Sequence, residues 1–98
     1  MAKKIGLLTR TFEEVVNEYY NMLYEAGIHT TVLEKAVEIV QCVRNEVGHR
    51  GIMFLAAVYI ASIELGIPVT QRKLSIIAKV TETSIRKWYN VIKSRMEK

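Results

Sequence analysis

A single cysteine, a single proline and no apolar run of bilayer length set the first limits on this chain. Cys42 has no second thiol for an internal disulfide. Without CxxC pairs or His/Cys clusters at ligand spacing no zinc site is expected, and a reduced, intracellular setting follows. The longest apolar stretch, Ile52 to Ile63, is interrupted by Tyr59 and Ser62 and falls short of the ~20 residues a membrane span needs. It is expected as a buried helix, with no membrane role. The opening MAKKIGLL is followed by neither an extended hydrophobic region nor a small-residue cleavage site, so no signal peptide is expected. No repeat, low-complexity tract or linker interrupts the chain. The glycines build no phosphate-binding loop, and no nucleophile stands with a base. His29 and His49 lie at helix boundaries without partners in spacing, which makes them structural or incidental. These absences argue against an enzyme and against any cofactor.

What is present is a hydrophobic half and an uneven distribution of charge. Half of the 98 residues are hydrophobic, enough for one domain with a core of its own. The formal net charge is +4, but residues 1–10 hold only bases (Lys3, Lys4, Arg10). Residues 11–66 hold eight acids against three bases, and residues 67–98 hold eight bases against Glu82 and Glu97. An acidic body with a basic last third implies a polyanion partner, because Lys and Arg set along phosphates release condensed counterions.

The periodicity predicts five helices. Residues 1–10 have no clear period and form a flexible basic arm; residues 11–98 form a single domain. Thr11-Phe12-Glu13-Glu14 has capping-box spacing and opens a first helix with Phe12, Val15, Val16, Tyr19, Met22 and Leu23 on one stripe, closed at Gly27. Thr31-Val32-Leu33-Glu34 repeats the box and opens a second, with Leu33, Ala36, Val37, Val40, Val43 and Val47 inward and Gly48 as its stop. A third, from about Gly51 to Leu65, is apolar nearly all round and contains Ala56, Ala57 and Ala61. It must be surrounded by the others. Gly66-Ile67-Pro68 ends it.

Thr70 and Thr81 then cap two further helices. In the fourth, Leu74, Ile77 and Ala78 point inward and Arg72, Lys73 and Lys79 outward. In the fifth, reaching about Met96, Ile85, Trp88, Tyr89 and Ile92 point inward, which makes the two aromatics core residues rather than base-stacking platforms. Thr83, Arg86, Lys87, Asn90 and Lys93 point outward. Two short helices across a tight turn over 70–95 give a helix-turn-helix pattern. On its outer face arginine can fork to guanine O6 and N7, and asparagine can pair with adenine.

The residues Ala56-Ala57-Val58-Tyr59-Ile60-Ala61-Ser62, Thr70-Gln71-Arg72-Lys73, Val80-Thr81-Glu82-Thr83-Ser84-Ile85-Arg86 and Tyr89 closely resemble the cyclin-like repeat of transcription factor IIB and its archaeal counterpart, most of all the second of that family's two repeats. The plan extends over about residues 11–96, and the specific motifs lie in 56–89. The resemblance implies an all-α, five-helix cyclin-like box whose last two helices read the factor-B recognition element beside the TATA box. It places Arg86 on the family's base-contacting arginine and Thr83 on a position that usually holds valine. It implies promoter DNA, the TATA-binding protein and RNA polymerase as partners, a monomer, and an archaeal cytoplasm or a eukaryotic nucleus.

Several positions depart from the family pattern. Ser75 stands where helix-turn-helix units often have alanine. Lys79 stands where the turn often has glycine, which strains the backbone if φ there is positive. Gly48-His49-Arg50-Gly51 lacks the proline of the signature that opens the family's central helix. No zinc ribbon and no first repeat accompany the sequence, so it is read as a fragment or a reduced single-repeat relative.

The expected base contacts are therefore Thr83, Arg86, Lys87 and Asn90. The expected phosphate contacts are Thr70, Gln71, Arg72, Lys73, Lys79, Ser84 and Lys93, which orient without specifying. The competing reading is a protein-interaction adaptor without sequence-specific DNA binding, using the groove beside the central helix and the acidic first half.

Overall fold

The computed structural model of this protein describes residues 12–47 and 51–96, which form five helices and, among those residues, no strand. They are α1 (Phe12–Glu25), α2 (Thr30–Val47), α3 (Met53–Leu65), α4 (Gln71–Ala78) and α5 (Glu82–Met96). The arm at residues 1–10, the cap at Thr11 and the stretch Gly48 to Arg50 lie outside the described residues.

α3 carries the rest. Met53 through Val58, Ile60, Ala61 and Ser62 are all buried, so of its first ten residues only Tyr59 keeps some exposure. A helix this apolar holds its place only by being covered, and α1, α2 and α5 all lie against it. The three alanines are fully buried, and their short side chains let neighbouring backbones approach closely. The one buried hydroxyl among the described residues, on Ser62, donates to the Tyr59 carbonyl at 2.6 Å and is satisfied within the helix. Around α3 the core takes in Leu23 from α1, Val32, Leu33, Ala36, Ile39, Val40 and Val43 from α2, Leu74 and Ala78 from α4, and Ile85 and Ile92 from α5. Phe54 stacks with Tyr20 at a centroid distance of 6.3 Å, and Tyr59 meets Tyr89 edge-to-face at 5.3 Å.

Glycine ends α1 and α3 as the spacing predicts. Gly27 has φ 95°, and the Ile28 amide donates to the Leu23 carbonyl at 3.0 Å; Gly66 has φ 71°, and the Ile67 amide donates to Ser62 at 3.0 Å. Both are left-handed stops in which the residue after the glycine reaches back five residues.

The start of α2 differs from the expectation. Thr31 is not its cap: the helix already includes Thr30, and the Thr31 amide donates to Nδ1 of His29 at 3.1 Å. The His29 carbonyl accepts from Val32 and Leu33 at 3.0 and 3.2 Å. Nδ1 is bonded to Cγ, as the side-chain oxygen of an asparagine is. The imidazole can therefore cap in the same way when Nδ1 is unprotonated.

Gly51, just before α3, marks a close approach to α1. A Cβ built there would overlap Val15 Cγ1 and lie 2.6 Å from Val15 Cβ. Rotating the valine moves Cγ1 but not Cβ, so the backbone would have to shift. Gly51→Ala should therefore cost about 1–3 kcal/mol by overpacking, read as a lower midpoint in urea at unchanged slope.

Candidate nucleic-acid interface

The last two helices begin at the threonines expected to start them. Thr70, in an extended conformation at φ −88° and ψ 156°, accepts the Lys73 amide on Oγ1 at 3.0 Å. Thr81 accepts the Ser84 amide on Oγ1 at 3.1 Å and donates its own hydroxyl to Ser84 Oγ at 2.9 Å. Each cap satisfies a first-turn amide that has no partner within its helix. Leu74 and Ala78 seat α4, Ile85 and Ile92 seat α5, and the two helices pack directly on each other. What remains outside is decided by spacing.

On α5, Thr83, Arg86, Lys87, Asn90 and Lys93 are all exposed. Steps of three and four residues place them along one side of the helix, opposite the buried Ile85 and Ile92. Trp88 and Tyr89 are half-buried and pack against the core, in keeping with the structural role expected of them. Lys87 is not held apart from its surroundings. Its ammonium lies 5.8 Å from the centre of the Trp88 ring, a distance at which the ring face attracts a cation.

On α4, Arg72, Lys73 and the following Lys79 are exposed, and the helix itself contains no acid. Ile76, 65% exposed, sits among them. The Ser75 hydroxyl donates to the Arg72 carbonyl at 2.8 Å and so turns back onto its own helix. Ser84 is half-buried beside the Thr81 cap.

The turn between the helices is left-handed at a lysine. Lys79 has φ 59° and ψ 44°, its amide donates to the Ser75 carbonyl, and the Val80 amide reaches the same oxygen at 3.1 Å. The conformational cost anticipated for a side chain at this position is therefore real.

Sequence reasoning missed the surroundings of Thr70, Gln71 and Arg72. They line an open cavity of about 620 Å³ with Tyr59, Ser62, Ile63 and Glu82. The Glu82 carboxylate makes this a mixed-charge hollow rather than a purely basic one. No spacing rule connects position 82 to position 70; they meet through the packing of α4 against α5. A second groove, lined by Ile60, Ile63, Glu64, Tyr89, Lys93 and Met96, runs beside the end of α3. Ile63 and Met96 are exposed there. Among the described residues no group of three or more His, Cys, Asp and Glu side chains is placed to hold a metal ion, and no helix is long and apolar enough to cross a membrane.

A family model described as "Transcription factor TFIIB repeat" matches residues 8–95, a span that contains all of α1 to α4 and nearly all of α5. No curated protein matches the sequence.

Proposed function

From the premise that the chain belongs to the transcription factor TFIIB repeat family, a family of initiation factors with a cyclin-like fold, we propose that it binds promoter DNA through α4 and α5. The observation that carries this is the outer side of the last two helices. Eight exposed polar or basic side chains, Arg72, Lys73, Lys79, Thr83, Arg86, Lys87, Asn90 and Lys93, stand on two directly packed helices and the turn between them, at the basic end of the chain. In this reading α4 and α5 act as a helix-turn-helix, with α5 in the major groove at the factor-B recognition element. Arg86 forks to a guanine, and Thr83 packs its methyl group on a neighbouring thymine. Lys87, once it leaves the Trp88 ring, and Asn90 complete the base contacts. Arg72, Lys73, Lys79 and Lys93 neutralise phosphates, while Thr70, Gln71 and Ser84 add hydrogen bonds at the helix starts. No catalytic chemistry is involved.

A single module of this kind covers roughly 600–1,000 Å² of its own surface on DNA, so binding is weak alone and strengthened by a partner such as the TATA-binding protein. The test is a titration of labelled promoter duplex at increasing salt, with and without that protein. Four phosphate-neutralising cations give a log–log slope of roughly −3 to −4. Failure to bind either promoter or scrambled duplex at low salt would end this reading.

One observation favours an additional protein contact. Ile63 and Met96 leave apolar surface exposed along the groove beside α3, as a docking face for a polymerase subunit or the TATA-binding protein would. In the adaptor reading this face replaces the DNA contact, and the chain reaches promoters through protein alone.

A further inference from the structure

We propose that Lys79 ties the joint between α4 and α5 to a DNA phosphate, and that the chain keeps it there at the expense of stability. The inference rests on the DNA reading above and deepens it: of the phosphate contacts assigned there, Lys79 is the one kept against a backbone cost and the one that sets the register of α5. Lys79 is the only non-glycine residue with positive φ among the described residues. The other two left-handed stops, Gly27 and Gly66, are glycines, and a Cβ built at either meets nothing within 4 Å. Glycine is used at those two stops for its backbone freedom, since space for a side chain exists. At the joint before α5 the same backbone preference is overridden.

Nothing in the turn itself needs the lysine side chain. The two hydrogen bonds that close it run from the amides of residues 79 and 80 to the Ser75 carbonyl, and glycine would make both. A cation near the carbonyl end of a helix gains some stabilisation from the helix dipole, but a basic residue in the last turn of α4 would supply that without left-handed strain. α4 has no basic residue there. Residues held in sparsely populated backbone regions concentrate where function requires them. Here the strain places an exposed ammonium two residues before the Thr81 cap and seven before Arg86. A phosphate held at that point fixes where the first turn of α5 sits along the groove, and so which base Arg86 meets.

The test combines thermal melts with titrations of promoter duplex across a salt series, for the wild type, Lys79→Gly, Lys79→Asn and Lys79→Arg. Lys79→Gly should raise Tm by about 4 °C. It should also weaken binding roughly five-fold at ~0.1 M salt and reduce the salt slope by about one. Asparagine tolerates the left-handed region, so Lys79→Asn should lose the same affinity without a loss of Tm. Lys79→Arg should keep both the slope and the wild-type Tm. If the wild type binds and Lys79→Gly binds equally well with an unchanged slope, the inference is overturned while the DNA reading stands. If Lys79→Gly lowers Tm, the stability half of the proposal is overturned. A wild type that shows no salt-dependent binding would remove both, and the wild-type titration alone reveals that case.

Discussion

Phe54→Ala should cost about 3–5 kcal/mol of stability, the range for deleting a buried aromatic side chain whose cavity cannot collapse. Phe54 is fully buried in the first turn of α3 and stacks with Tyr20 of α1, so it joins the central helix to the first one. A cavity there opens between two helices whose separation is already set by the close approach of Gly51 to Val15. Domains of this size are stable by only about 5–15 kcal/mol, so the variant should be marginally folded and melt roughly 15–30 °C lower. Phe54→Leu, which keeps most of the volume, should lose less than half as much. Thermal and urea melts of the two variants settle the matter: equal losses, or an alanine variant within about 1 kcal/mol of wild type, would mean that the core is not organised around α3.

Arg86→Ala should leave the melting curve almost unchanged and reduce affinity for promoter duplex by about 1–3 kcal/mol, the discrimination carried by one bidentate arginine–guanine pair. Arg86 is exposed and lies next to the buried Ile85, so truncating it removes a side chain from the surface without opening the core. Its loss should fall mainly on the cognate sequence. Binding to scrambled duplex should weaken only as far as one fewer cation allows, so the ratio of the two affinities shrinks. A uniform loss on both sequences would reassign Arg86 to phosphate contact.

The helical plan was legible because its signals are local. Two threonine caps, at Thr70 and Thr81, and two glycine stops, at Gly27 and Gly66, each act within about four residues, and the stripes of α2 and α5 repeat at helical spacing. The burial of α3 followed from its having no polar face. The Thr31 cap was misassigned for an equally local reason: threonine is a favoured capping residue and histidine is not, although Nδ1 of His29 has the reach to do it. Glu82 beside Thr70, Gln71 and Arg72 was invisible because their proximity comes from tertiary packing rather than spacing. The same holds for the placement of Gly51 against Val15, whereas that of Lys87 over Trp88 depends on the side-chain conformations of two adjacent residues, which spacing does not give. The candidate interface was thus readable as a set of outward residues, while its electrostatic texture was not.

Backbone amide chemical shifts, followed while promoter duplex is added, test the central claim most directly. If α4 and α5 hold the DNA, the perturbed amides concentrate between Thr70 and Lys93, are largest around Lys79 to Asn90, and leave the acidic outer faces of α1 and α2 unchanged. Perturbations confined to the groove around Ile63 and Met96, or none at DNA concentrations well above the protein's at low salt, would contradict it.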